Sequence, residues 1–419
     1  MGRGLALRTV MAGVLVVALP AASAPSSAIR AVVASGDSVP GGGRFAGFTV
    51  ESLPVLAPVN GKGQVAFFAT LQRAPGAEGV FLRSRDRVTK IAREGDTVPG
   101  VGSLSGLGRH PIPALNESGA VAFAAAVTGG RTVEGIFLAA QGRLQPVAVA
   151  GGTAPGVSSG TLAGVESPAL NDRGDVAFLA TVRRGRESME AIYVREARGT
   201  LRKVVAQGDP APAGGTFVGF GPPVLNNRGT VGFAAAVDGK AVPGGIFLAE
   251  REKIRMLVGA GDDTPAGGMF FKFSERFSLN DTDTVAFNAV LKDAPTAGGL
   301  FVAKAGRLLK VVLVGDAAPG GGTFSHFGLW PGLNARGRLA FVASVDGAPS
   351  PMAVFVGDPE GVERIAGIGD ALPGGRLLSF GLYPLVAINN AGGVTFTAAP
   401  TATGEGVEGI FLAGSGIRP

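Results

Sequence analysis

The feature that most constrains this chain is one short stretch that returns seven times. At Pro113–Phe123 it reads P-x-L-N-x-x-G-x-V-A-F, and its Asn recurs at Asn60, Asn116, Asn171, Asn226, Asn280, Asn334 and Asn389. Successive copies lie 54 to 56 residues apart. By length alone, 419 residues would suggest two or three separate domains, but self-similarity at one fixed period overrides that expectation and marks a repeat architecture.

Each unit carries the same signals in the same order. A G-D-x-x-P-G-G-like turn comes first, with its Pro at Pro40, Pro99, Pro155, Pro212, Pro265, Pro319 and Pro373. An F-x-x-F element follows, as in Phe217/Phe220, Phe270/Phe273 and Phe324/Phe327, softened to Leu104/Leu107 and Leu162/Val165. Then come the P-x-L-N strand, the N-x-x-G turn, a V-A-F-x-A-x-V strand, a variable polar loop, a short G-I-F-L strand, and a last strand such as Leu309–Val314. Four short strands fit in each unit with hairpin-length loops. Asn three residues ahead of Gly suits such a hairpin: the Asn side chain bonds backbone amides, and Gly accepts the positive φ at the loop exit. In the fifth copy Asp283 stands in place of that Gly.

In Val121–Val127 bulky Val121, Phe123 and Val127 alternate with small Ala122, Ala124 and Ala126. One sheet face is then large and the other small, so that identical sheets stack knob against hollow. A unit of this kind buries its faces only against neighbours. The chain enters with Ile29–Asp37, which is the end of a unit, and its last copy stops after the third strand, Gly409–Leu412. The leading strand supplies what the final unit lacks, and pairing them removes the exposed edges. The fold expected is all-β: a seven-bladed β-propeller of four-stranded blades, closed by an N-terminal strand that completes the last blade.

Residues 1–28 read as a signal peptide, with Arg3 and Arg8 as its positive region, Val10–Leu19 as its apolar core, and cleavage expected between 23 and 28. The propeller is then expected to occupy 29–419. The apolar run is too short to span a bilayer comfortably, and no apolar tail follows the last repeat. The expectation is an exported protein, periplasmic or secreted, without a membrane span once the leader is removed, and monomeric. The absence of cysteine excludes disulfides, thiol catalysis and Cys-based zinc sites. The net charge is +6, without a Lys/Arg block, so no nucleic-acid footprint is expected.

The stretches Asn116–Phe123, Asn171–Phe178 and Asn334–Phe341 match N-x-x-G-x-x-x-A-F in full, while Asn226–Phe233 has Gly232 for the Ala and Asn389–Phe396 has Thr395. In this the chain resembles the bacterial exported tandem-repeat proteins described by that signature, a resemblance that covers nearly all of the mature chain and implies no established activity. More distantly, the unit looks like the P-x-W-S-P-D-G-x-x-I-A-F blade of TolB-type periplasmic propellers. Here Asn stands where Ser stands there, Leu replaces Trp, and the Gly-to-Phe spacing is one residue shorter. That likeness implies architecture and no shared partner.

Most residues that could bear chemistry are claimed by the repeat. Of 25 Phe, all but Phe68, Phe271 and Phe277 fall on repeat positions, as does Tyr193, so the unscheduled aromatics are these three with Trp330 and Tyr383. The G-D aspartates (Asp37, Asp96, Asp209, Asp262, Asp316, Asp370) tempt a calcium reading, but one Asp per repeat beside Pro and Gly is more simply a side chain bonding its own turn. Only Asp262-Asp263 places two carboxylates together. His110 and His326 lack metal-ligand spacing, and no nucleophile elbow or phosphate loop is present. No metal and no cofactor are expected.

A ligand site is therefore expected where the copies diverge, just ahead of each repeat Asn, on the face of the central channel. The candidates are Arg109, His110, Glu166, Glu275, Arg276, Trp330 and Tyr383. The leading expectation is a non-enzymatic binding or scaffold module for a protein or glycan partner of the envelope or extracellular space. The rival is a propeller hydrolase or lyase acting on a polysaccharide, with Glu166, Glu275 and His110 converging near the axis. A purely structural surface protein, the third reading, predicts no pocket on either face.

Overall fold

A computed structural model describes residues 28–48, 53, 55–212, 214–239, 242–251, 253–381, 384–400 and 408–414; residues 1–27, nearly all of the stretch expected to be a signal peptide, and Tyr383 lie outside the described residues. Seven antiparallel sheets are arranged as a seven-bladed β-propeller, and no helix occurs among the described residues. In blade 4 the strand nearest the axis comes in two halves, Thr216–Phe220 and Val224–Leu225, which both pair with Val231–Asp238. Gly244–Glu250 and then Lys253–Gly259 complete the blade outward. Blade 3 keeps its inner strand continuous, Thr161–Leu170, at the cost of a break in register between Glu166 and Ala169. In the last blade the outermost strand is Ile29–Ala34, antiparallel to Gly409–Ala413, as the sequence predicts.

Why the blades stack follows from period-two alternation along the V-A-F strands. Val121, Phe123, Ala125 and Val127 face blade 1, in a cluster with Ala66, Phe68 and Val80. Ala122 and Ala124 face blade 3, in a cluster with Val176, Phe178 and Val182. The same division holds in blade 3, whose Ala177 and Leu179 face blade 4. All seven apolar clusters lie between two neighbouring blades, including the one that joins Val33, Ile410 and Leu412 to Phe45 and Phe67. Each junction also holds aromatic contacts made within one of its blades, such as Phe217 against Phe247 in blade 4, with centroids 5.0 Å apart and edge to face. At about 1.5–3 kcal/mol for each fully buried Phe, stability resides in the junctions.

Two of the unscheduled aromatics are explained by gaps in the repeat. Phe68, fully buried, sits in the cluster with Leu104 and Leu107, where blade 2 lacks the F-x-x-F pair. Phe277, also fully buried, packs at the position of Gly232, where a Cβ would come within 3.0 Å of its ring. Phe271 remains 60% exposed.

The repeat Asn does more than turn a hairpin. Its Oδ1 accepts the backbone N–H groups two and four residues on, as in Asn226 with Arg228 and Thr230 at 3.0 and 2.9 Å. Its Nδ2 donates to the backbone carbonyl of the next blade's repeat Asn. That bond recurs from Asn60 to Asn116, then to Asn171, Asn226, Asn280, Asn334 and Asn389, and from Asn389 back to Asn60, at 2.9–3.2 Å. All seven side chains are buried. Asp283 takes φ +57 in the turn of blade 5, and its carboxylate accepts from Asn226 Nδ2 at 2.8 Å and pairs with Arg228 at 3.0 Å.

Each G-D aspartate caps its own turn, accepting a backbone N–H three residues back. The six bonds, from Ala34, Arg93, Ala206, Gly259, Leu313 and Gly367, all measure 2.8–2.9 Å.

Candidate functional site

The inner strands bring the segments just ahead of the repeat Asn in blades 1 to 6 around one central cavity of about 450 Å³. Its wall is mostly apolar, because Pro and Leu repeat there: Pro58, Pro113, Pro168 and Pro223 come from four successive blades, with Leu115, Leu170, Leu225 and Leu279 beside them. Pro donates no backbone N–H, which fits a strand edge that turns toward open space. The divergent residues ahead of each P-x-L supply the polar groups.

Blades 2, 3, 5 and 6 contribute those groups. His110 Nδ1 lies 3.4 Å from Glu166 Oε2, joining blades 2 and 3. The Arg276 guanidinium stacks over Trp330, 5.0 Å from the ring centroid, joining blades 5 and 6. Trp330 is held in turn: its Nε1 donates to the Phe277 carbonyl at 2.8 Å and to Ser278 Oγ at 3.1 Å, while Ser278 Oγ donates to the Pro331 carbonyl at 2.7 Å. Burial pushes the Arg276 guanidinium below its usual pKa, and the carboxylates of Glu166 and Glu275 oppose that shift. Arg109 also lines the cavity and is exposed. Two guanidiniums thus face one cavity carboxylate, that of Glu166.

Ser167 adopts φ +55 between Glu166 and Pro168, where the register of the inner strand breaks. A non-glycine residue in that region carries backbone strain of roughly 1–3 kcal/mol, which only a constraining surround maintains. The break turns Glu166 and Ser167 toward the cavity in the one blade whose inner strand is otherwise continuous.

Five of the seven candidates therefore share this cavity: Arg109, His110, Glu166, Arg276 and Trp330. Arg109, His110, Arg276 and Trp330 do so from the irregular segments between the two halves of an inner strand, and Glu166 from within the strand Thr161–Leu170. Glu275 lines a separate crevice between blades 4 and 5. Tyr383 lies outside the described residues. His326 is exposed and borders a smaller cavity of about 190 Å³ between blades 6 and 7. Among the described residues, no group of three His, Asp or Glu is gathered as metal ligands. Sequence reasoning missed Ser167, Ile112 and Phe277 as wall residues. The Pro that precedes the repeat Asn in blades 1, 2, 3, 4 and 6 was the available signal for the wall, and it reads equally as strand punctuation.

Comparison with known proteins adds the following. No curated protein matches the sequence. Among solved structures, the chain is similar to an acylaminoacyl peptidase of Pyrococcus horikoshii at 10% identity and a TM-score of 0.47, covering 82% of this chain and 49% of that one. It is also similar to a puromycin-hydrolyzing peptidase of Mycobacterium tuberculosis (13% identity, TM-score 0.34, 83% of this chain and 59% of that one). A third is a gluconolactonase of Xanthomonas campestris (13% identity, TM-score 0.35, 81% of this chain and 98% of that one). The chain spans about half to three fifths of the two peptidases. Residues 22–243 and 239–413 each match one family, and the chain accordingly belongs to the family of unknown function DUF7453.

Proposed function

We propose that this protein is an exported, non-enzymatic binding propeller whose central cavity takes the acidic end of an apolar or ring-bearing ligand. The observation that carries this reading is the Arg276–Trp330 pair, a guanidinium laid over an indole that is itself anchored by two hydrogen bonds. A stacked, partly desolvated guanidinium binds a carboxylate more strongly than a solvated one. The Pro- and Leu-rich wall favours an apolar body behind that carboxylate, and about 450 Å³ suits a small ligand or one terminus of a larger protein or glycan partner. Export, and kinship with the tandem-repeat proteins of the N-x-x-G-x-x-x-A-F signature, belong to the same proposal and rest on the leader and the repeat.

Trp330 is the only Trp in the chain, so its emission reports on the cavity directly. Titrating the mature protein with aromatic acids, uronic acids and acidic oligosaccharides should shift that emission saturably for at least one class. Arg276→Gln should weaken the response by about tenfold, the worth of one charge-assisted contact. Calorimetry and emission that stay flat across the whole panel would sink the reading.

One observation favours the enzyme reading, namely the His110–Glu166 pair inside the same cavity at 3.4 Å. Such a pair has the geometry of a general acid–base device. If polysaccharide cleavage is detected and is abolished by both His110→Gln and Glu166→Gln, the protein is an enzyme. The existence of the cavity also counts against a purely structural surface protein.

A further inference from the structure

Four blade junctions share one contact that the repeat motif does not reveal. A Glu just ahead of the G-I-F-L segment of the third strand reaches into the next blade and accepts the backbone N–H of the last residue of the F-x-x-F element. Glu408 accepts from Phe48 at 3.0 Å, Glu134 from Val165 at 3.0 Å and Glu190 from Phe220 at 3.0 Å. Glu78 accepts from both Leu107 and Gly108 at 2.8 Å. These amides point out of their own sheet because a bulge precedes each of them, between Phe217 and Gly219 in blade 4 for example.

The corresponding positions in blades 4, 5 and 6 are Gly244, Gly298 and Met352. The junction between blades 5 and 6 is filled otherwise: Asn288 Nδ2 donates to the Gly328 carbonyl at 3.3 Å and Ser274 Oγ to the Leu329 carbonyl at 2.6 Å. Between blades 6 and 7 the Met352 side chain leaves a cavity of only about 190 Å³. Between blades 4 and 5 nothing replaces the Glu among the described residues. A crevice of about 480 Å³ opens there, bordered by Gly244 on one side and by Phe271, Lys272 and Phe273 on the other. The bulge between Phe270 and Lys272 repeats the blade 4 geometry, so the Phe273 amide corresponds to that of Phe220. No side-chain carboxylate meets it among the described residues.

We propose that this crevice is a receptor for an acidic side chain of a protein partner. The partner's carboxylate takes the place that Glu holds at the other four junctions and accepts the Phe273 N–H. Lys272 supplies the countercharge at the mouth, and Phe271, which is 60% exposed, covers the apolar residues flanking the inserted side chain. Glu190 and Glu275 also border the crevice. Glu190 is engaged with the Phe220 amide, and Glu275 acts electrostatically on Arg276. Their presence restricts the site to a single entering carboxylate and excludes polyanions. An acidic side chain is favoured over a free small acid because the crevice lies between two blades and is bordered by the exposed phenyl ring of Phe271, which the residues flanking an inserted side chain would cover. The partner class deepens the binding reading proposed above, but the site lies outside the central cavity.

The test uses the full mature protein with phenylalanine-selective 15N labelling. The probes are the capped pentapeptide Ala-Phe-Glu-Phe-Ala, its Gln counterpart, and acetate. Saturable displacement of the Phe273 amide signal by the Glu peptide, and not by the Gln peptide, is expected. Lys272→Glu, on an exposed residue remote from the core, should weaken that response by roughly fivefold, the worth of one exposed charge contact. Gly244→Glu should occupy the site internally and abolish it, although its Cβ meets the Ala235 carbonyl at 2.7 Å and the variant serves only if it folds. A Phe273 signal that ignores the Glu peptide overturns the proposal, as does acetate binding as tightly as the peptide. Trp330 emission reads the central cavity and the Phe273 amide reads the crevice, so the two proposals fail separately.

Discussion

Asn389 Nδ2 donates to the backbone carbonyl of Asn60 at 2.9 Å, across 329 residues of sequence. It is the seventh bond of a closed ring, and it joins the last blade to the first as firmly as any other pair. The opening motif therefore has two duties in one side chain. The oxygen fixes the turn within a blade, and the nitrogen fixes the distance between blades.

Those duties separate by substitution. Asn226→Asp keeps an oxygen for the Arg228 and Thr230 amides but loses the donor to the Asn280 carbonyl and to Asp283. It also sets a buried carboxylate against two acceptors. Asn226→Ala loses both duties but introduces no charge. Denaturant unfolding should show Asn226→Ala destabilised by about 1–3 kcal/mol, and Asn226→Asp by at least as much at neutral pH. If Asn226→Asp is as stable as the parent at neutral pH, the inter-blade bond contributes nothing.

Gly232 is the second test of how the junctions pack. It replaces the repeat Ala, and an added Cβ would lie 2.9 Å from Val224, 3.0 Å from Phe277 and 3.2 Å from Leu248. Restoring the consensus by Gly232→Ala should therefore destabilise the protein, by about 1–3 kcal/mol. Gly232→Ala combined with Phe277→Leu should recover part of that loss. The double-mutant cycle measures the coupling, and strict additivity would exclude the proposed exchange of volume.

The contrast between these two sites shows what was legible. The fold could be read because its determinants are local and repeated: Asn, Gly and Phe recur at one period, and the alternation of large and small residues fixes which face meets which neighbour. The inter-blade Asn bond was hidden, because a side chain's partner 54 to 56 residues away leaves no mark on its own turn. The Glu staples were hidden for a related reason: Glu78, Glu134, Glu190 and Glu408 occur in only four copies, so they read as variable surface charge. The cavity residues were found by asking where copies disagree, which located Arg276 and Trp330 but gave no sign that Glu275, one residue away, opens onto a different crevice.

Two groups give the protein opposite pH limits. Burial raises the Asp175 pKa, but hydrogen bonds from the Ala197 amide, Asn171 and Arg173 outweigh it, and the net value falls below the ordinary 3.8. A depressed folded-state pKa contributes stability above 3.8 that is lost as the pH falls through the folded value. Tyr193 goes the other way: burial, aided by Asp209, pushes its pKa from 10.0 up to about 12, and its hydroxyl donates to the Pro155 carbonyl at 3.1 Å. A raised folded-state pKa contributes stability that is whole below pH 10.0 and is lost as the pH rises towards about 12. Asp175→Asn should flatten the acid limb of a stability–pH profile, and Tyr193→Phe the alkaline limb. Each variant should leave the opposite limb unchanged, and a swap or a shared effect would refute the assignment.

The Arg276–Trp330 contact is where architecture and function meet. Trp330 is anchored to blade 5 through the Phe277 carbonyl and the Ser278 hydroxyl, so the indole bridges a junction as well as lining the cavity. Arg276→Lys retains the charge but loses the planar stacking surface, whereas Arg276→Gln loses the charge. Because a cation–π contact at a partly buried site contributes about 0.5–2 kcal/mol, both variants should be only slightly less stable than the parent. Ligand-free Trp330 should become more open to quenching by acrylamide in both. Binding of a carboxylate ligand should be weakened strongly by Arg276→Gln and mildly by Arg276→Lys. Equal weakening by the two would mean that the guanidinium's flat geometry, and not its charge, selects the ligand. No weakening by either would remove Arg276 from the site.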